Sequence, residues 1–117
     1  MTAPPVRVVV VTYSPGESLA VFLSSLAGAT TASYEVVLAD NGSTDGAPEA
    51  VVGPGVTLLP TGGNLGYGRG ANAGAAGFGG EWLVVANPDV AWDAGALDEL
   101  LAAAERWPSA GCLGPAI

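Results

Sequence analysis

Four consecutive valines, Val8 to Val11, narrow what this chain can become more than any other feature. β-Branched side chains lose rotamer freedom in a helix and pack well on a pleated surface. A run with no polar alternation reads as a strand covered on both faces, the pattern of a parallel sheet. The run spans Arg7 to Thr12, and "YEVVLA" (Tyr34 to Ala39) and "EWLVVA" (Glu81 to Ala86) read as further strands. Val56 to Pro60 adds a further strand, and Ala110 to Leu113 is expected to begin a fifth.

Helical patterns lie between these runs. Leu19, Phe22, Leu23 and Leu26 have helical spacing, with Ser14 or Ser18 available near the start. Ala47 to Val52 reads as a short helix, although Pro48 fits only its first turn. Small residues predict another helix from about Arg69 to Phe78. Asp93 is the expected N-cap of the next, with Leu97, Leu100, Leu101 and Ala104 on its apolar face. Asp98 and Glu99 near its start and Arg106 near its end suit the helix dipole. Strand and helix alternate with short links, which predicts an α/β fold with a mostly parallel sheet flanked by helices. The length of 117 residues suits one domain. An uncovered sheet edge usually carries further elements, so the expectation is the N-terminal half of a longer protein, with oligomerisation possible through that edge.

Charge restricts the partners. Three Lys+Arg against 11 Asp+Glu give a net charge of −8, and there is no histidine. Such a surface repels nucleic acid and anionic lipid, and a phosphate ligand would need backbone N–H groups, a divalent cation or one of the rare arginines. General-base chemistry would fall to a carboxylate. Cys112 is the lone cysteine, which excludes an intrachain disulfide and favours a reducing, cytoplasmic setting. No apolar run approaches the roughly 18 residues of a membrane span.

In parallel α/β sheets ligands bind beyond the carboxyl ends of the strands, and four polar loops fall there. Tyr13 either packs on the following helix or offers a platform for a flat base or sugar. In "DNGSTDG", turn and cap chemistry accounts for Asn41, Ser43 and Asp45, whereas Asp40 stands where a carboxylate can accept hydrogen bonds from a base or ribose. Residues 62–80 hold nine of the 18 glycines. Gly74 and Gly77 read as helix-to-sheet packing; Gly66 and Gly68 lie ahead of the expected helix, where free N–H groups could face a phosphate. Arg69 is placed to meet an anion, with Asn64 and Asn72 completing a polar wall. Asn87-Pro88-Asp89 is either turn punctuation or a holder of a divalent cation beside a diphosphate. Gly68, Gly70 and Ala73 also match G-x-G-x-x-A with Asp89 about 20 residues on, a dinucleotide fingerprint, although two strands precede it.

Together, "VVVVTYSPGESLAVFLSSL", "EVVLADNGSTDG", "GGNLGYGRGANAGAAGF" and "WLVVANPDV" resemble the N-terminal half of a family-2 glycosyltransferase of the GT-A fold. The Asn-Pro-Asp variant and "NLGYGRGANAG" are most similar to its rhamnosyltransferase-like branch, which builds cell-wall or surface polysaccharide precursors. The resemblance implies a Rossmann-like nucleotide-sugar-binding half. In it Thr12 and Tyr13 line the base, Asp40 binds it with Asn41 beside it, and Arg69 lies near base or diphosphate. Asp89 corresponds to the last Asp of the DxD motif and would hold Mg²⁺ or Mn²⁺, while Asn87 replaces the first.

It further implies an inverting transfer from a dTDP- or UDP-sugar to a saccharide or lipid-linked saccharide, in an enzyme peripheral at the inner face of the membrane. The catalytic carboxylate base is expected beyond residue 117. A non-catalytic nucleotide-binding or assembly domain and an NAD-binding oxidoreductase domain are the alternatives.

Overall fold

The computed structural model describes residues 4–109 and 111–114. Its order is β1 (Val6–Thr12), α1 (Ser18–Ala29), β2 (Tyr34–Asp40), α2 (Ala47–Ala50), β3 (Val56–Pro60), α3 (Tyr67–Ala75), β4 (Trp82–Ala86) and α4 (Ala96–Arg106). The four strands pair in parallel in the order β3-β2-β1-β4. The parallel sheet expected from the valine run and the strand–helix alternation is therefore present, and every strand pair in it is parallel. The arrangement is the Rossmann-like one that the resemblance implies.

Alternation along β1 sorts its side chains between two layers. Val8 and Val10 join Leu19, Phe22 and Leu26 of α1 and Leu97 of α4 in one cluster. On the opposite face α3 packs on β1 and β2. There the approach requires glycine at Gly74, where a Cβ would lie 2.4 Å from Val9 Cγ1, and leaves little room at Gly70, where one would lie 3.0 Å from Val11 Cγ1. Arg7 fixes the far end of this helix. Its guanidinium donates to the carbonyls of Gly74 and Ala76, at 3.1 Å each, and to Glu35 Oε1, and it lies over the Phe78 ring. A cation on the last carbonyls of a helix also complements its dipole.

Several local expectations are corrected. α3 starts at Tyr67, so Gly68 lies in its first turn, and Gly77 lies beyond it with φ +75°, a turn glycine and not part of a packed stripe. Asp93 is not the N-cap of α4: Gly95 occupies that position with φ 73°, and Asp93 contributes only its backbone carbonyl, which accepts from Ala96 N–H. Neither Ser14 nor Ser18 caps α1, whose N-cap residue is Glu17 without a side-chain bond. Residues 111–114 form no strand, and Ala110 lies outside the described residues.

The start of α4 is instead set by α1. Gly95 N–H donates to Gly28 O, and Thr30 Oγ1 and Thr31 N–H donate to the Asp98 carboxylate. α1 ends near the amino ends of the strands, since β2 begins at Tyr34. Residues 87–95 therefore run back along α1, where the Trp92 ring meets Phe22 edge-on and the Trp92 backbone N–H donates to Ser25 Oγ.

Candidate functional site

The register of the sheet brings the ends of three strands together. Thr12 is opposite Asp40, and Asp40 is opposite Pro60. β4 lies on the other side of β1, with Ala86 opposite Val10, so Asn87-Pro88-Asp89 leaves from the same carboxyl edge. Helices leave this edge to opposite faces of the sheet, α1 from β1 to one and α3 from β3 to the other, which opens the crevice where parallel α/β sheets take ligands.

Asp40 is the most heavily organised residue at the edge. Thr12 Oγ1 donates to its Oδ1 at 2.7 Å, the Ser43 hydroxyl donates to the same oxygen, and Ser43 N–H donates to Oδ2 at 3.1 Å. Burial pushes the Asp40 carboxyl up, but the Ser43 and Thr12 hydroxyls and the backbone of Ser43 and Gly42 outweigh it and hold the group below its ordinary 3.8. The result is an ionised, pre-oriented carboxylate with lone pairs left over for a donor. Thr12 is fully buried and its hydroxyl is committed to this carboxylate.

Ser14 and Ser43 tie the first two loops to each other. Ser14 N–H donates to Ser43 Oγ at 2.7 Å, Thr44 N–H to Ser14 Oγ at 3.0 Å, and Gly16 N–H to Asp45 Oδ2 at 2.8 Å. Sequence reasoning took Ser43 and Asp45 as turn residues of their own loop. No sequence signal links them to Ser14 and Gly16, because the contacts cross between loops 29 and 30 residues apart.

The glycine loop is anchored the same way. Asn41 is 3% exposed, and its Nδ2 donates to Gly66 O at 3.1 Å. Its Oδ1 accepts from Thr61 Oγ1 at 2.6 Å. Thr61 is a structural residue that the sequence reading missed. Asn64 turns inward on its own loop, accepting from Gly66 N–H at 3.2 Å. Gly66, with φ 82°, precedes α3, so the first-turn N–H groups from Tyr67 onward face the crevice end of the helix.

The expected site residues thus divide. Thr12, Asp40 and Asn41 form an inner, hydrogen-bonded group, whereas Tyr13 (60% exposed), Asn64, Gly66, Arg69, Asn72, Asn87 and Asp89 form an exposed rim. Of the three arginines, Arg7 is engaged by α3 and Arg106 lies in the last turn of α4, which leaves Arg69 in the first turn of α3. The dinucleotide fingerprint is not realised: Gly68, Gly70 and Ala73 all lie inside α3 and form no strand-to-helix turn.

A divalent cation has one carboxylate to meet on the β4 side. Asp89 is exposed, and among the described residues no three His, Cys, Asp or Glu side chains cluster closely enough to hold a metal. One protein carboxylate with substrate phosphates and water completing the shell is how Mg²⁺ is commonly held, so the residues present fit such an ion.

Comparison with known proteins agrees with this geometry. The chain is 55% identical to the N-acetylglucosaminyl-diphospho-decaprenol L-rhamnosyltransferase of Mycobacterium tuberculosis, an alignment covering 94% of this chain and 40% of the relative. The chain therefore spans well under half the length of the curated relatives it matches. Among solved structures, S. aureus TarS 1–349 in complex with UDP superposes with a TM-score of 0.76 at 21% identity, covering 95% of this chain and 38% of that one, a likeness of fold. The mannosyltransferase PcManGT from Pyrobaculum calidifontis, in complex with GDP-Man and Mn²⁺, superposes at 0.74 with 27% identity, covering 97% and 35%. The profile described as Glycosyl transferase family 2 matches residues 7–116, and the chain belongs to that family.

Proposed function

We propose that this chain forms the donor-nucleotide half of an inverting glycosyltransferase that moves a sugar from a dTDP- or UDP-sugar to a lipid-linked cell-wall or surface polysaccharide precursor. The observation that carries the reading is the pre-oriented Asp40 carboxylate at one sheet edge with the first turn of α3 and the Asp89 loop. The rhamnosyltransferase name of the 55% identical relatives supports L-rhamnose as the sugar and a polyprenyl-diphosphate-linked saccharide as the acceptor. The UDP and GDP-Man in the TarS and PcManGT complexes support donor-nucleotide binding by a chain of this fold.

In this reading Asp40 accepts hydrogen bonds from the base, and Tyr13 covers its flat face. Arg69 and the free N–H groups of the first turn of α3 meet the diphosphate, and Asn64, Gly66 and Asn72 line its approach. Asp89 supplies one oxygen ligand, with Asn87 beside it, to Mg²⁺ or Mn²⁺; the Mn²⁺ in the PcManGT complex supports an ion of this class. When bound, such an ion offsets the charge that develops on the departing diphosphate. The carboxylate base that activates the acceptor is not among these residues. A lipid-linked acceptor fits peripheral work at a membrane surface, and no helix among the described residues is long and apolar enough to cross one.

Calorimetric titration with dTDP, UDP and GDP, each with and without Mn²⁺, tests the site. Pyrimidine nucleotides should bind, more tightly with Mn²⁺, and the metal-dependent part should vanish in Asp89→Ala. No binding at all, or metal-independent binding indifferent to Asp89→Ala, would sink the proposal.

A further inference from the structure

Asn41 sits among the candidate donor-binding residues, yet its surroundings assign it different work. Its side chain is enclosed by the protein. The backbone N–H donates to Thr12 O at 2.9 Å, fixing the residue just past the β1–β2 pairing. The amide then reaches across to the glycine loop, donating to Gly66 O and accepting from Thr61 Oγ1.

The carbonyl it holds is a particular one. Gly66 O also accepts the first helical bond of α3, from Gly70 N–H at 3.1 Å. Gly70 rests directly on the amide, where a Cβ would lie 3.2 Å from Asn41 Nδ2 and 3.4 Å from Oδ1. Asn41 therefore touches both ends of the first turn of α3, and through Thr61 the start of the loop leading to it. Gly62 and Gly66, with φ of 91° and 82°, leave that loop few restraints of its own.

We propose that Asn41 is a positioning residue: by clamping Thr61 and Gly66 it sets the place and direction of the first turn of α3, and so of Arg69, without touching the donor itself. This rests on the donor-site reading above. Asp40 and Asn41 are then neighbours with divided labour, one facing the crevice and the other holding its far wall. An amide suits the task because it donates and accepts at once, whereas an aspartate would lose the donor to Gly66 O.

The test compares the wild-type chain with Asn41→Ala, Thr61→Val and the double variant. Amide hydrogen exchange is followed without ligand, and dTDP and UDP affinity is measured by calorimetry with Mn²⁺. In Asn41→Ala, exchange should rise at residues 61–70 while β1 and β2 keep their protection. Affinity should fall about tenfold, equivalent to roughly 1.4 kcal/mol. Thr61→Val should lower affinity less, and should add little in the Asn41→Ala background because both act through one clamp.

Three results would overturn the clamp. Affinity lost with exchange at 61–70 unchanged would mean that Asn41 contacts the donor directly. A loosened loop with full affinity would mean that the loop's position is irrelevant to binding. Exchange raised evenly through β1 and β2 would make Asn41 a general stability residue. A wild-type chain that binds none of the nucleotides overturns the donor-site reading instead, and is told apart because the exchange measurement needs no nucleotide.

Discussion

The carboxyl ends of β2 and β4 each bring an aspartate to the same edge of the sheet, Asp40 as the last residue of β2 and Asp89 in the loop after β4, yet the two loops there are built in opposite ways. Asp40 is half-buried and receives hydrogen bonds from Thr12 and Ser43, in a network that continues through Ser14 to the loop after β1. Asp89 is exposed, and the side-chain anchor in its segment is Ser25 Oγ, which accepts from the Trp92 backbone N–H. One carboxylate is oriented by the fold before any ligand arrives. The other is left for something outside the protein to orient. Binding energy is conserved when the reading group is preorganised, whereas a metal ligand at an open rim can adapt to the ion and its phosphates.

The largest expected effect comes from removing the organised carboxylate. Asp40→Ala leaves the buried Thr12 hydroxyl and the Ser43 N–H without their acceptor, which should cost about 2–3 kcal/mol in urea unfolding and abolish nucleotide binding. A variant as stable as wild type would break the contrast between the two loops.

Packing beneath the organised side comes next. Gly74→Ala forces a Cβ against Val9 and should cost about 1–3 kcal/mol, while Gly68→Ala, in the same helix with open space around it, should be neutral or slightly stabilising. Thermal unfolding of the pair separates close approach from helix propensity.

Acid should sharpen the contrast further. The Asp40 and Asp98 carboxyls titrate below 3.8 in the folded chain; for Asp98 the Thr30 hydroxyl is the main cause. A depressed folded pKa means that the unfolded state takes up protons first. The stability from these groups is therefore complete above pH 3.8 and drains away as pH falls below it. Unfolding measured at pH 5 and pH 3 should show that loss, reduced in Thr30→Val and in Asp40→Asn.

Asp89→Ala should have the smallest effect on stability, within about 0.5 kcal/mol, because nothing in the described structure leans on that side chain. Its consequence should appear only in metal-dependent binding.

β1 and β4 show how far the sequence could be read. Both are continuous apolar runs expected to be strands, and the pattern of β1 is that of a strand covered on two faces. β1 is: Val8, Val9 and Val10 are fully buried. β4 is not: Trp82, Val84 and Ala86 pack on the core, but Leu83 and Val85 stay 43% and 42% exposed. α3 covers the far face only over β1 and β2, and nothing in an apolar run reports which strand will lie at an edge.

The site divides along the same line. Strand ends, the glycine loop and the positions of Asp40, Arg69 and Asp89 follow from local pattern, since hydrophobic runs and turn residues act over a few neighbours. Family membership was legible too, because it resides in four ordered stretches. Which polar groups face outward was not. Thr12 and Asn41 look as available in sequence as Tyr13 and Asn64, and only pairing across β1, β2 and the glycine loop turns them inward. The misplaced cap at Asp93 has the same origin: the start of α4 is decided by Asp98 reaching Thr30 and Thr31, a contact 68 and 67 residues away. Local chemistry in the sequence determined the elements and the set of candidate groups; the tertiary structure decided which groups are held by the protein and which are left free, because hydrogen-bond partners are assigned by proximity in space.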